Sequence, residues 1–243
     1  MDCYYVTGAS RGIGKAIVEN ILEDQDTKVI GISRSPGIEH PRYRHRTLDL
    51  TDMASVQAFR FDEHQGAERA VLINNAALLS VSQVGNIDPE ELAAIFVADA
   101  LAPAILTNQF VKACQSSEIS QAVICNMTSR AGTNPTPGGA AYCSAKAALE
   151  MFTRTAAREA ELKGDSALTF LIANPGEVDT DMQSLLVAAD ADDFPYAEMV
   201  RKRKADGLLA TPQFVAERLV RVLRNPALAP DMRFDVQALD LDG

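Results

Sequence analysis

A short apolar strand, Cys3 to Val6, leads directly into Thr7-Gly8-Ala9-Ser10-Arg11-Gly12-Ile13-Gly14, and a helical pattern then continues to about Glu23. This order of strand, glycine-rich turn and helix is the tightest constraint in the sequence. Glycines let the backbone come close to a pyrophosphate, and the helix N-terminus offers it free N–H groups and partial positive charge. The spacing is G-x-x-x-G-x-G, not G-x-G-x-x-G. Alone such a turn is a weak signal; placed between a strand and a helix at the head of an α/β chain it predicts a phosphate-binding edge.

The rest of the chain keeps the alternation. Further strands are expected at Lys28–Ile32, Arg46–Leu48, Val71–Ile73, Ala122–Met127 and Ala167–Ala173, with a final edge strand over Phe234–Leu239. Helices are expected from Met53 to about His64, from the capped start Asp88-Pro89-Glu90-Glu91 to about Cys114, through Tyr142 to about Leu162, and from Thr211-Pro212 to about Leu223. Pro103 must bend or interrupt the second of these. Residues 183–207 lose the pattern and read as a lid or a short pair of helices near a site. At 243 residues, 47% hydrophobic, the chain suffices for one large domain and is short for two. Alternating strands and helices without a repeat predict an α/β fold, a doubly wound parallel sheet in a single domain over 1–243.

Charge narrows the partners. A net charge of -10 argues against nucleic acid or an anionic membrane. No run of about 18 apolar residues predicts a membrane span, and no signal peptide is expected. Cys3, Cys114, Cys125 and Cys143 lack metal-type spacing and read as reduced thiols of a cytoplasmic protein. His40, His45 and His64 have no second ligand type grouped with them, so no metal is expected.

Two clusters carry chemistry. The second strand ends in Ser33-Arg34-Ser35, with no acid between Val29 and Gly37. An arginine at that edge accommodates a ribose 2′-phosphate, where an acid would bind the free hydroxyl. Arg11 is expected to project toward the same region, and two guanidinium groups suit a phosphate dianion. As solvated surface arginines the two would mean nothing; the surrounding pattern favours NADP(H). The other cluster is Tyr142-Cys143-Ser144-Ala145-Lys146, with Ser129 thirteen residues before the tyrosine. Tyrosine and lysine at i, i+4 share a helix face, and a nearby cation moves a phenol toward the range of general acid–base catalysis. Many surface helices carry such a pair by chance, so its meaning depends on the company it keeps.

That company resembles the short-chain dehydrogenase/reductase family over nearly the whole chain. The landmarks are the turn at Thr7–Gly14, Asp49-Leu50, Asn74-Asn75-Ala76-Ala77, Ser129, the Tyr142/Lys146 pair, and the run from Asn174 through Met182, in matching order and spacing. The start, the run Val178–Gln183 and the C-terminal portion look most like the sepiapterin reductase and benzil reductase branch. The resemblance implies a Rossmann-type fold and a role for each position. Gly8, Ser10, Arg11, Gly12, Ile13 and Gly14 would hold the pyrophosphate and adenosine side. Arg34 would add a 2′-phosphate contact, Asp49 and Leu50 would border the adenine, and Asn75 and Ala76 would lie along the cofactor. Tyr142 would protonate the developing alkoxide, Lys146 would bond the nicotinamide ribose and lower the tyrosine's pKa, and Ser129 would polarise the substrate carbonyl. Pro175, Gly176, Val178 and Thr180 would border the nicotinamide.

One position departs from the pattern. Family members usually place an asparagine in the long helix to support a proton-relay water; alignment on Ala102-Pro103 puts Asp99 there. The implied function is NADPH-dependent reduction of a small ketone or diketone. The alternatives are an alcohol dehydrogenase working oxidatively and a catalytically silent NADP(H)-binding sensor or interaction protein. The substrate pocket is expected from Leu78–Val84, Pro135–Ala140 and the 183–207 segment, with Leu79, Met182, Leu185, Leu186, Phe194 and Tyr196 as apolar candidates. The resemblance also implies a homodimer or homotetramer through the helices near 90–114 and 143–162.

Overall fold

The computed structural model describes residues 1–117 and 119–241. Seven strands form one parallel sheet: β1 Asp2–Thr7, β2 Thr27–Ser33, β3 Tyr43–Thr47, β4 Arg69–Asn74, β5 Gln121–Met127, β6 Leu168–Asn174 and β7 Arg233–Asp235, in the order β3-β2-β1-β4-β5-β6-β7. The chain winds outward from β1 to β3, then returns to β4 on the other side of β1. The C-terminal ends of β1 and β4 therefore diverge at a switch point, where such sheets form a crevice.

Alternation along each strand feeds two cores. Tyr4 and Val6 face one, with Ile17 and Ile21 of α1 (Gly12–Leu22) and Val215 and Leu219 of α8 (Pro212–Arg224). Cys3 and Tyr5 face the other, with Leu106 and Phe110 of α4 (Ala102–Gln115) and Ala160 of α5 (Ala140–Lys163). Burial pushes the thiols of Cys3, Cys114 and Cys125 up to about 12, so they pack as small apolar side chains.

Three boundaries differ from the sequence reading. The helix expected over Met53–His64 is α2, Met53–Ala58, capped by Asp52. It stops because Phe59 turns extended; Phe59 and Phe61 then pack into the second core, with Arg46 over the Phe59 ring. The third strand starts at Tyr43, not Arg46, because Tyr43 pairs in register with Val29. The last strand ends at Asp235 and gives way to a 3₁₀ turn over Val236–Ala238, where Arg218 Nε takes the carbonyl of Val236.

The long helix is interrupted as Pro103 required. It starts as α3 (Pro89–Phe96), loosens into a π-helical turn over Val97–Leu101, and resumes as α4. By length and composition Pro89–Gln115 could span a bilayer, with a mean hydropathy of 1.5, although it holds no unbroken apolar run. Here it packs along the sheet and α5 as a core helix. Residues 183–207 fall in two helices, α6 (Asp181–Ala188) and α7 (Ala197–Ala205).

Candidate active site

The glycine turn and the Asn75–Ala76 segment face each other across the switch point. Thr7 Oγ1 accepts from the backbone N–H of Asn75 and Ala76 at 2.9 and 3.0 Å, and Asn75 Nδ2 donates to Thr7 O at 3.0 Å. Gly8 and Gly12 have φ of 68° and 54°, which disfavours any side chain. A Cβ on Gly14 would sit 2.5 Å from Asn75 Nδ2 and closer still to the carbonyl oxygen of Gly8. The helix α1 that follows has no side-chain cap, like α5 and α7, whereas α2, α3, α6 and α8 are capped by Asp52, Asp88, Thr180 and Thr211. Its first N–H groups are thus left for a ligand, and the cradle fits a dinucleotide pyrophosphate. Gly14→Ala is expected to cost upward of about 1–3 kcal/mol, since backbone must move to admit the methyl. Chemical denaturation and nucleotide titration of the variant check this; wild-type values for both would contradict it.

Arg34 is exposed at the end of β2, and its charge helps hold the Asp49 carboxyl low, after the larger effect of the Thr51 backbone and hydroxyl bonds. Asp49 and Leu50 lie partly buried just past β3. Arg11 has a partner of its own. Its Nη1 is 3.0 Å from Asp181 Oδ2 at the start of α6.

Ser129 follows β5 and starts the short turn Arg130–Gly132, its Oγ accepting from Ala131 N at 3.2 Å. Gly132 packs on the backbone of Lys146: a Cβ there would lie 3.3 Å from the Lys146 carbonyl carbon. This close seat sets α5 against the serine. Tyr142 is partly buried in the first turn of α5, and the neighbouring Ser129 hydroxyl favours its phenolate. Lys146 is 2% exposed; its Nζ donates to Met127 O at 3.3 Å and stands 5.4 Å from the Tyr142 ring centre. Asp99, wholly buried in the π turn, places Oδ2 at 3.2 Å from Lys146 Nζ, an ion pair whose angles fall short of a hydrogen bond. Asp99 Oδ1 accepts from Leu78 N at 2.7 Å.

The electrostatics correct one expectation. Lys146 does favour the Tyr142 phenolate, but burial outweighs it and Asp99 adds to burial, so the phenol stands above its ordinary value. Burial raises the Asp99 carboxyl as well, against the pull of Lys146. Burial alone would lower the Lys146 ammonium; the neighbouring Asp99 charge and Tyr142 more than reverse this.

The loop after β6 is braced by residues the motifs did not reveal. Gly176, at φ 74°, gives its N–H to Asn174 Oδ1 at 3.1 Å; Asn174 Nδ2 donates to Asp235 at 2.6 Å. Gln237 Nε2 holds the carbonyls of Pro175 and Glu177 at 2.8 and 3.2 Å. Asp235 thus braces the loop. An asparagine just before Pro-Gly was the one legible sign of this bracing. Val178 is buried and bridges to Ala210, while Thr180 caps α6.

Among the apolar pocket candidates, Phe194 and Leu186 turn inward with Ala197, Val200 and Val81 and make a small core of the segment itself. Leu79 and Met182 are partly buried, and Leu185 and Tyr196 are exposed. The two expected loops join each other where Ser82 N donates to Gly138 O at 2.9 Å, and Gln83 of the first reaches Asp192 O of the segment.

Known proteins share this fold. Residues 2–191 match the short chain dehydrogenase family. The chain is 32% identical over 233 residues to a benzil reductase ((S)-benzoin forming) of Bacillus subtilis, covering 92% of this chain and 93% of that one. It is 28% identical to a sepiapterin reductase of Xenopus laevis, covering 83% of each. A short chain dehydrogenase/reductase structure from Saccharomyces cerevisiae superposes with a TM-score of 0.80 at 24% identity, covering 97% and 96%. The chain therefore belongs to the short chain dehydrogenase family and is an oxidoreductase of that family.

Proposed function

We propose that the protein is an NADPH-dependent carbonyl reductase acting on a small ketone or diketone. The observation that carries this reading is the convergence of Ser129, Tyr142 and the buried Lys146 at the C-terminal edge of the sheet, next to the uncapped glycine turn. The similarity to benzil reductases favours an aromatic 1,2-diketone as the first substrate to try.

The glycine turn, Asn75, Ala76 and the Pro175–Thr180 loop would hold a nicotinamide dinucleotide, which would supply the hydride; the chain supplies position and the proton. As negative charge grows on the carbonyl oxygen, the Ser129 hydroxyl and the Tyr142 phenol donate to it where it appears. The raised phenol remains protonated at neutral pH and so starts reduction in the acid form. Lys146, kept charged by Asp99, stabilises the phenolate left after proton transfer.

Arg34 selects the 2′-phosphate. Arg34→Ala is expected to raise the KM for NADPH roughly tenfold or more, the scale of a lost charge-assisted bond, while leaving NADH little changed. Steady-state titration with both cofactors checks it; equal effects on the two would remove Arg34 from the selection. The exposed face of α5, with Ala147, Ala148 and Met151, serves self-association into a dimer or tetramer. NADPH consumption against a panel of ketones and 1,2-diketones tests the whole reading: turnover is expected, and tight NADPH binding without turnover on any carbonyl would favour a silent sensor.

A further inference from the structure

The loop after β6 carries three alternating acids, Glu177, Asp179 and Asp181, and each has a cation from elsewhere in the chain. Arg203 of α7 holds Glu177, and Lys204 of α7 is 3.2 Å from Asp179. These two pairs join the loop to its own neighbouring helix. The third differs. Arg11 comes from the glycine turn, across the cleft, and its pair with Asp181 at 3.0 Å is open to solvent, the side chains 71% and 74% exposed. The Thr180 side chain also packs against the turn there: a Cβ on Gly12 would lie 3.5 Å from Thr180 Cγ2. Asp181 is the first residue of α6, so the pair ties the phosphate turn to the segment that covers the substrate side.

We infer that Asp181 is a specificity-determining residue that competes with the cofactor's 2′-phosphate for Arg11. This rests on the reading of Arg11 as a phosphate ligand. An arginine occupied by a carboxylate is withheld from a phosphate for the fraction of time the pair is formed, and apparent affinity drops by that fraction. The pair is exposed and monodentate, so it exchanges readily. A ligand with the 2′-phosphate draws Arg11 away and frees the start of α6; one without it leaves the tie in place. Asp181 thereby couples the identity of the cofactor to the freedom of α6.

Binding of adenosine 2′,5′-bisphosphate and of 5′-AMP, measured by calorimetry at low salt, tests this on the full chain. Asp181→Asn is expected to tighten the bisphosphate about three- to fivefold and to leave 5′-AMP within about twofold. Asp179→Asn, which removes one charge two residues away without touching Arg11, controls for general electrostatics and is expected to change neither. Arg11→Ala is expected to weaken the bisphosphate and to abolish the gain from Asp181→Asn in the double variant. Equal gains for Asp179→Asn and Asp181→Asn, or a gain that persists without Arg11, would overturn the competition alone. If Arg11→Ala leaves bisphosphate binding unchanged, the assignment of Arg11 to the 2′-phosphate falls, and the competition falls with it.

Discussion

Tyr142→Phe lowers kcat for carbonyl reduction by about 10²–10⁴-fold, the range that a positioned proton donor contributes. The ring remains seated in the first turn of α5, and only the hydroxyl is lost, so the fold and the glycine turn are unaffected. Nucleotide affinity therefore changes far less than kcat. Stopped-flow reduction of a diketone separates the two, because binding and turnover are read in one trace. The variant distinguishes proton donation from simple electrostatic support. If Ser129 alone polarised the carbonyl, the loss of the phenol would cost a single hydrogen bond, closer to about tenfold. A loss confined to that level would transfer the acid role elsewhere. Because burial holds the phenol above its ordinary value, wild-type reduction is expected to stay level through neutral pH, and the reverse reaction to gain as pH rises.

Asp99→Asn moves the alkaline limb of the pH–rate profile to lower pH. The sign follows from the pair. Asp99 raises the Lys146 ammonium above its ordinary value, against burial, which lowers it. With a neutral amide at 99 only burial and Tyr142 remain, so Lys146 loses its proton at lower pH and its support for the phenolate goes with it. The amide oxygen can still take the N–H of Leu78, and the variant is expected to fold. Asp99→Ala removes that acceptor as well as the counter-charge. It is expected to lose about 3–5 kcal/mol of stability, the scale for breaking a buried pair and leaving one charge alone. Superimposable pH–rate curves for the parent and Asp99→Asn would refute the electrostatic role, and a wild-type unfolding midpoint for Asp99→Ala would refute the structural one. The carboxyl itself is raised by burial, so the linkage runs against the pair at higher pH. Folding binds the Asp99 proton more tightly than unfolding does, and that contribution is lost as pH rises through the interval between its unfolded and folded values.

Much of this was legible in the residues because the fold places its chemistry at strand ends. Gly8, Gly12 and Gly14 could be read as a turn with no room for side chains, and the structure shows why each is needed. Pro103 announced the break in the long helix, and the break is the π turn that delivers Asp99. The cluster at Ser129, Tyr142 and Lys146 could be read as a set, since a helix face and a strand end are local features.

The ion pair between Asp99 and Lys146 lies across a helix-to-helix contact 47 positions apart in sequence, which no motif spacing encodes. The pull of Lys146 on Tyr142 was legible, but the net direction of the shift was not, for a related reason. The lysine is visible in sequence, whereas the burial that outweighs it is a property of packing. Arg11 likewise has a partner, Asp181, fixed by the approach of two loops separated by 170 positions. Phe194 and Leu186 looked like pocket residues by type; their inward packing depends on how α6 and α7 fold on each other. Phe59 and Phe61 ended a helix early because the core recruited them, a tertiary choice that overrides local helical preference.

Label transfer tests the central assignment most directly. NADPH carrying deuterium at the transferable ring position is incubated with an aromatic 1,2-diketone and either the parent chain or Tyr142→Phe. The parent is expected to place one deuterium on the carbinol carbon of the hydroxyketone product, and Tyr142→Phe to place almost none in the same time. Saturable NADPH binding by the parent without label in any product, or equal labelling by the two proteins, would contradict hydride transfer completed by the Tyr142 proton.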